Sequence, residues 1–125
     1  MGKRTDAAGH HAFASGDIKA ARAAWDKMLA DYSGEWLTQL CYGEAMIYLE
    51  DEEKAVKHLK QVAALQPKPR NTDAYDTIAQ LALIRSDKKA AATAYEKALD
   101  IIKTEWQMGD TQMAEDLRRK IISLR

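Results

Sequence analysis

Apolar residues recur along the chain at three- and four-residue steps: Trp25, Met28, Leu29; then Leu59, Val62, Ala63; then Tyr95, Ala98, Leu99, Ile102. That spacing lays one stripe along a helix, where a half-buried strand would alternate every second residue. It predicts six paired helices, at about 5–15 and 17–31, 34–49 and 51–66, then 72–85 and 87–104. Alanine is abundant and proline is confined to Pro67 and Pro69, so little interrupts them. A seventh helix is expected at about 110–124, stopped off by Gly109 and capped by Asp110 or Thr111. Met113, Leu117, Ile121 and Leu124 share one of its faces, with Glu115, Asp116, Arg118 and Arg119 turned outward. The stretch before it is long, so either the sixth helix runs an extra turn or Trp106 and Met108 tuck into a longer join.

Three segments carry one pattern: an acid, a small residue four positions on, and a bulky residue four beyond that. They read Asp17, Ala21, Trp25; Asp51, Ala55, Leu59; and Asp87, Ala91, Tyr95, at steps of 34 and 36 residues. Each Asp stands where a helix begins and can accept a bond from its orphan N–H groups. Gly16, just before the first, can take the left-handed conformation that ends a helix. Ser33-Gly34 and Asn71-Thr72 punctuate the joins between units, and the two-residue excess of the second step falls at Pro67-Lys68-Pro69. A period in this range predicts a stacked array in which each unit buries its apolar face against its neighbours.

These residues resemble the tetratricopeptide repeat, a helix–turn–helix unit with a usual period of about 34. Where the first helix of such a unit crosses its partner it carries a small residue; here Gly9, Gly43 and Ala79 follow the same two steps. Before them stand Ala8, Tyr42 and Ile78. The aromatic position three residues after them holds Ala12, Met46 and Ala82, a departure that Phe13 partly repairs. In the second helix the small-then-aromatic pair is met by Ala21 with Trp25 and Ala91 with Tyr95, while Leu59 replaces the aromatic in the middle unit. The next small position holds Met28, Val62 and Ala98, and the closing proline appears once, as Pro67. The resemblance covers residues 5–102 and is closest from Tyr75 to Leu99. It implies an all-α fold: a right-handed α-solenoid of three repeats (about 5–33, 34–70 and 71–104) with a capping helix, in a single domain, 1–125.

Charge and composition add mainly exclusions. Lys and Arg number 19 against 19 Asp and Glu, so the chain has no overall field toward nucleic acid or anionic lipid. Residues 35–66 carry three Lys against six acids, a local acidity that suits either a basic ligand or an ordinary solvated face. No apolar run approaches the ~20 residues of a membrane span, and Met1-Gly2 lacks the Ser or Thr a myristoylation signal wants at position six, where Asp6 stands. Cys41 is the single cysteine, which fits a reducing, cytoplasmic setting. No catalytic, cofactor or metal constellation is expected. His10 and His11 diverge by about 100 degrees on a helix, and His58 lies on another one. Nothing near Cys41 predicts a lowered thiol pKa.

The resemblance implies that the first helix of each unit lines a concave groove for an extended or helical peptide. By register the groove would take Asp6, His10, Phe13 and Ala14 from the first unit. The second would supply Leu37, Leu40, Cys41, Glu44, Ile47 and Tyr48, and the third Asp73, Asp76, Thr77, Gln80, Leu83 and Ile84. Some members clamp the acidic tail of chaperones with Lys, Asn and Arg; the matching positions here are Asp6, His10, Cys41, Asp73 and Thr77, so such a tail should be refused. An apolar centre with acidic edges suits an apolar peptide or amphipathic helix with basic flanks. The function expected is a non-catalytic adaptor or scaffold. The open alternative is a self-associating module, a homodimer formed through the groove or the last helix. A further reading packs those leucines within the first-helix layer or against the chain's own last helix, leaving no free site. Trp25, Tyr42, Leu59, Tyr75, Tyr95 and Leu117 are the expected core anchors.

Overall fold

A computed structural model describes residues 2–125, with side chains from Asp6 onward; Met1, where the lipidation signal would begin, lies outside the described residues. Among these residues the chain is all-helical and contains no strand. The helices are α1 (Gly2–Ala14), α2 (Ile18–Tyr32), α3 (Trp36–Tyr48), α4 (Glu52–Leu65), α5 (Asp73–Ile84), α6 (Lys88–Asp100) and α7 (Gln112–Ser123), with a π-helical turn at Ile101–Glu105. The expected sixth helix therefore does not continue as α-structure to 104: it widens after Asp100. By its contacts the chain divides into two compact units, Met1–Leu65 and Gln66–Arg125.

One turn is built three times. Gly16, Glu50 and Ser86 take left-handed backbone at φ 83°, 59° and 62°. Asp17 N–H donates to Ala12 O at 2.9 Å, Asp51 N–H to Met46 O at 2.8 Å and Asp87 N–H to Ala82 O at 2.8 Å. These long-reach bonds close the preceding helix in a Schellman motif. The same aspartates then open the next helix: their carboxylates accept from Ala20 N–H at 3.0 Å, Lys54 N–H at 3.2 Å and Ala90 N–H at 3.0 Å. Thr111 caps α7 in the same way through Ala114 N–H. The extra length of the second step lies where Pro67 and Pro69 stand: α4 and α5 are joined by residues 66–72, α2 and α3 by residues 33–35.

In the first unit α1 pairs with α2 and α3 with α4, and α3 also packs on α2 and touches α1. Small residues let these helices close. A Cβ at Gly9 would fall 2.3 Å from Trp25 Nε1, and one at Gly43 would fall 2.8 Å from Leu59 Cγ. Trp25, Met28, Met46, Leu59 and Val62 are buried around these contacts. A polar network ties α2, α3 and α4 together. Gln39 donates to Ser33 O at 2.7 Å, which turns its carbonyl oxygen toward His58 Nδ1, also 2.7 Å away. The imidazole therefore carries its proton on Nδ1. Burial, then Lys57 and Lys54, lower the His58 pKa. Tyr42 stacks edge-on against the same ring at 4.7 Å and donates its hydroxyl to Asp26 at 2.6 Å. Burial and that bond push the phenol pKa up.

The second unit packs α5 on α6 and α6 on α7. Its interior is lined by Ala74, Ile78, Ala79, Ala82, Ala91, Ala94, Tyr95, Ala98, Ile101 and Ile102. Of the expected anchors, Trp25, Tyr42, Leu59 and Tyr95 are buried, but Tyr75 and Leu117 are only half-buried. On α7 the inward stripe is Ala114, Leu117 and Ile121, and Met113 faces out. A step of one residue turns a helix by about 100 degrees, and Ala114 takes the place expected of Met113. Lys120 of α7 lies over the Tyr95 ring, 5.0 Å from its centroid.

The π turn holds the join. Trp106 N–H reaches back to Ile101 O at 3.1 Å, and Glu105 and Trp106 both meet Arg70. Arg70 donates from Nε and Nη2 to the Glu105 carboxylate, the latter at 2.6 Å, and its backbone N–H adds a third bond at 2.9 Å. The Trp106 indole N–H donates to Arg70 O at 2.6 Å. The Arg70 bonds hold the Glu105 carboxyl below its ordinary pKa.

Candidate functional site

None of the sixteen residues expected to line the groove is in the core; Ala14 and Asp73 are exposed and Asp6 is half-buried. In the first unit His10 on α1 and Leu37, Glu44 and Tyr48 on α3 are exposed, while Phe13, Leu40, Cys41 and Ile47 are half-buried. In the second unit Gln80, Leu83 and Ile84 on α5 are exposed and Asp76 and Thr77 half-buried. Each α5 residue sits where its helical register puts it, on the face away from Ala74, Ile78 and Ala82.

In the first unit several of these residues meet. The His10 ring stands edge-on to Trp25 at 5.3 Å and to Tyr48 at 5.6 Å. Phe13 lies tilted against the same two rings, at 6.3 Å from Trp25 and 5.8 Å from Tyr48. Residues 10 and 13 are one turn apart on α1, so both reach across to α3. Trp25, read from sequence only as a core anchor, is therefore also the floor of this surface. Its indole N–H donates to Asp6 Oδ1 at 3.1 Å, and the same oxygen lies 3.4 Å from His10 Nε2. Tyr48 keeps 51% of its surface exposed.

Cys41 lies beside this cluster. Burial, then the charges of Asp6 and Glu44 and a hydrogen bond to Asp6, push its thiol up to about 11. At neutral pH it is a protonated thiol, and only a thiolate is a good nucleophile or metal ligand. Among the described residues no group of three or more His, Cys, Asp or Glu is placed to hold a metal ion. No described helix is long and apolar enough to cross a membrane.

The second unit offers a different surface. Asp76 accepts from the Thr72 hydroxyl at 3.0 Å, and burial raises its pKa despite that bond. A separate cleft of about 340 Å³ is lined by Arg70, Tyr75, Thr93, Glu96, Lys97 and Asp100. It carries both signs of charge, and Lys97 already lies 5.9 Å from the Tyr75 ring centroid. The Arg70–Glu105–Trp106 clamp had no visible signal in the sequence beyond Trp106 in an overlong join.

No family model matches the chain, and no curated protein matches it in sequence.

Proposed function

We propose that the chain is a non-catalytic protein-interaction module of tetratricopeptide type, its three hairpins and last helix forming a right-handed solenoid. The first helices of the hairpins, α1 and α3 in the first unit and α5 in the second, present the side chains that bind a peptide or helix apolar at its centre and basic at its flanks. It acts as an adaptor or scaffold, and its lone thiol suits the reducing cytoplasm.

The observation that carries this reading is the aromatic surface of exposed His10 and Tyr48 with half-buried Phe13, Leu37 being exposed on the same helix as Tyr48 and Asp6 and Glu44 lying beside it. Exposed aromatic and apolar side chains grouped in this way are the usual anchors of protein recognition. The thrice-repeated turn, at steps of 34 and 36 residues, supports the repeat architecture. Acidic chaperone tails are refused, because Asp6 and Asp73 stand where carboxylate-holding cations would be needed.

Panning a displayed peptide library against the chain should enrich apolar peptides with basic flanks. Leu40→Asp and Tyr48→Ala should each abolish capture of the selected peptides while circular dichroism and the melting curve barely change. Loss of fold in both variants would assign these side chains to the core and remove the site. The competing reading is self-association, favoured by the exposure of Ile84 at 81% and Ile122 at 71%. Sedimentation at rising concentration decides it, since a strict monomer leaves that reading without support.

A further inference from the structure

We propose that the rings of His10, Tyr48 and Phe13, backed by the buried Trp25, form a receptor for an alkylammonium head, the charged end of a lysine side chain on the bound peptide. This rests on the first-helix face being the binding surface, and it names what that surface recognises.

Each ring in the cluster touches two others, and the four contacts, from 5.3 to 6.3 Å, close a loop. Separations of this size let one cation lie against two neighbouring rings, within the ~6 Å that cation–π attraction requires. Trp25 is fully buried and supports the other rings from beneath, while His10 and Tyr48 open to solvent and offer a cation their faces. A carboxylate sits at the edge: Asp6 Oδ1 is bonded to the Trp25 indole and adjoins His10. Cys41 adjoins the same carboxylates, its thiolate being disfavoured first by burial and then by Asp6 and Glu44. Anions are therefore repelled, and a neutral side chain gains only from the apolar area it covers.

The shape favours a compact head over a flat one. His10 meets Tyr48, the other exposed ring, nearly at right angles, 76°. Crossed walls suit a rounded ammonium, whereas a guanidinium needs a parallel face to stack on and a carboxylate free to take its fork. Asp6 already accepts the indole N–H.

The chain has three tryptophans, Trp25, Trp36 and Trp106, so its ¹⁵N-labelled form gives indole signals that Trp36→Phe and Trp106→Phe assign. The probes are Nα-acetyl-lysine methylamide, its Nε-trimethyl form, and the uncharged Nα-acetyl-norleucine methylamide. Both ammonium probes should shift the Trp25 indole signal saturably and leave that of Trp106 in place, while the norleucine compound does neither. Tighter binding of the trimethyl form would identify methylated lysine as the source; equal binding would identify plain lysine. Tyr48→Ala should weaken the ammonium probes by about tenfold and Tyr48→Phe should preserve them, because the ring face does the work. Absence of a saturable shift, or equal binding by norleucine, overturns the proposal. If peptides from the library still bind in a Leu40-dependent way while no ammonium probe moves Trp25, the receptor is disproved and the interaction module stands. If neither binds, both fall.

Discussion

The two units share a turn but fill their interiors in opposite ways. The first is packed around Trp25, Met28, Tyr42, Met46 and Leu59, with Gly9 and Gly43 yielding space to the largest of them. The second fills eight of its thirteen buried apolar positions with alanine and fastens its long join with the Arg70–Glu105–Trp106 clamp. Large side chains set against glycine make a few positions decisive. Alanines bring helix backbones close while each contributes little, so a polar lock takes over the task of fixing a loop. The difference also bears on function. A ring as large as Trp25 extends from the interior to underlie the surface of α1 and α3, and no alanine in the second unit could support an aromatic surface in that way.

Removing the decisive residue should break the contrast most visibly. Trp25→Ala deletes a fully buried ring and the hydrogen bond to Asp6, and should cost roughly 3–5 kcal/mol. That is a large share of the ~5–15 kcal/mol usual for a domain. Urea titration followed by circular dichroism measures it. A loss below about 1 kcal/mol would mean that the first unit spreads its burial as the second does.

The next effect runs against helix propensity. Alanine is the better helix former by ~1 kcal/mol, so Gly9→Ala should stabilise α1 if nothing touched it. Its Cβ would instead fall 2.3 Å from the Trp25 indole, and overpacking of this kind costs roughly 1–3 kcal/mol. Net destabilisation is expected, with a changed Trp25 fluorescence. The corresponding residue of the third hairpin is Ala79, itself fully buried. That position accommodates a methyl group, which is the difference between the units at the scale of one atom.

These positions also mark how far the sequence could be read. Caps and turns were legible because Asp17, Asp51 and Asp87 need only local geometry, and periodic apolar residues located the helices. Left-handed Glu50 and Ser86 were not, since neither residue advertises a positive φ as Gly16 does. The clamp joins Arg70 to Glu105 across 35 residues, and in a chain with 38 acids and bases no pattern singles out that pair. Tyr75 and Leu117 are only half-buried, because periodicity gives the face of a helix without the depth of its cover. The aromatic cluster is half visible: register places His10, Phe13 and Tyr48, but it does not show that the core ring Trp25 lies beneath them.

Acid should separate the units by a smaller amount and in a fixed order. All three histidines, His10, His11 and His58, lie in the first unit. Burial, then Lys57 and Lys54, hold the His58 pKa below 6.5 in the fold. The unfolded chain therefore takes up its proton first, and stability is full above that value and lost as pH falls toward the lowered one. In the second unit Glu105 is held below 4.5, chiefly by its hydrogen bond to Arg70. Its contribution is present above the ordinary carboxylate value and lost only as pH falls through the lowered one. Asp76 has the opposite sign: burial raises its pKa above 3.8, so acid relieves a cost. Between about pH 7 and 5.5, hydrogen exchange should accelerate in α4 relative to α6 once intrinsic rates are divided out, and His58→Gln should flatten the trend. Equal loss of protection in α6 would place the sensitive group elsewhere.

The smallest expected effect asks whether the turn is truly common to both units. Glu50 closes α3 in the first and Ser86 closes α5 in the second, each exposed and each left-handed at φ near 60°. A side chain in that conformation costs roughly 1–2 kcal/mol through its Cβ. Glycine removes the cost but has more freedom to lose on folding, so part of the gain is cancelled. Glu50→Gly and Ser86→Gly should each raise stability by about 0.5–1 kcal/mol, read as a higher urea midpoint at unchanged slope. Gly16→Ala should move the midpoint the other way, because the space around it is open and only the backbone objects. Matching gains at 50 and 86 would mean that both units inherit one turn and differ only in what they pack behind it. A gain at one position and a loss at the other would show that an exposed side chain is holding its own turn, and the hairpins would then be equivalent in hydrogen bonding but not in energy.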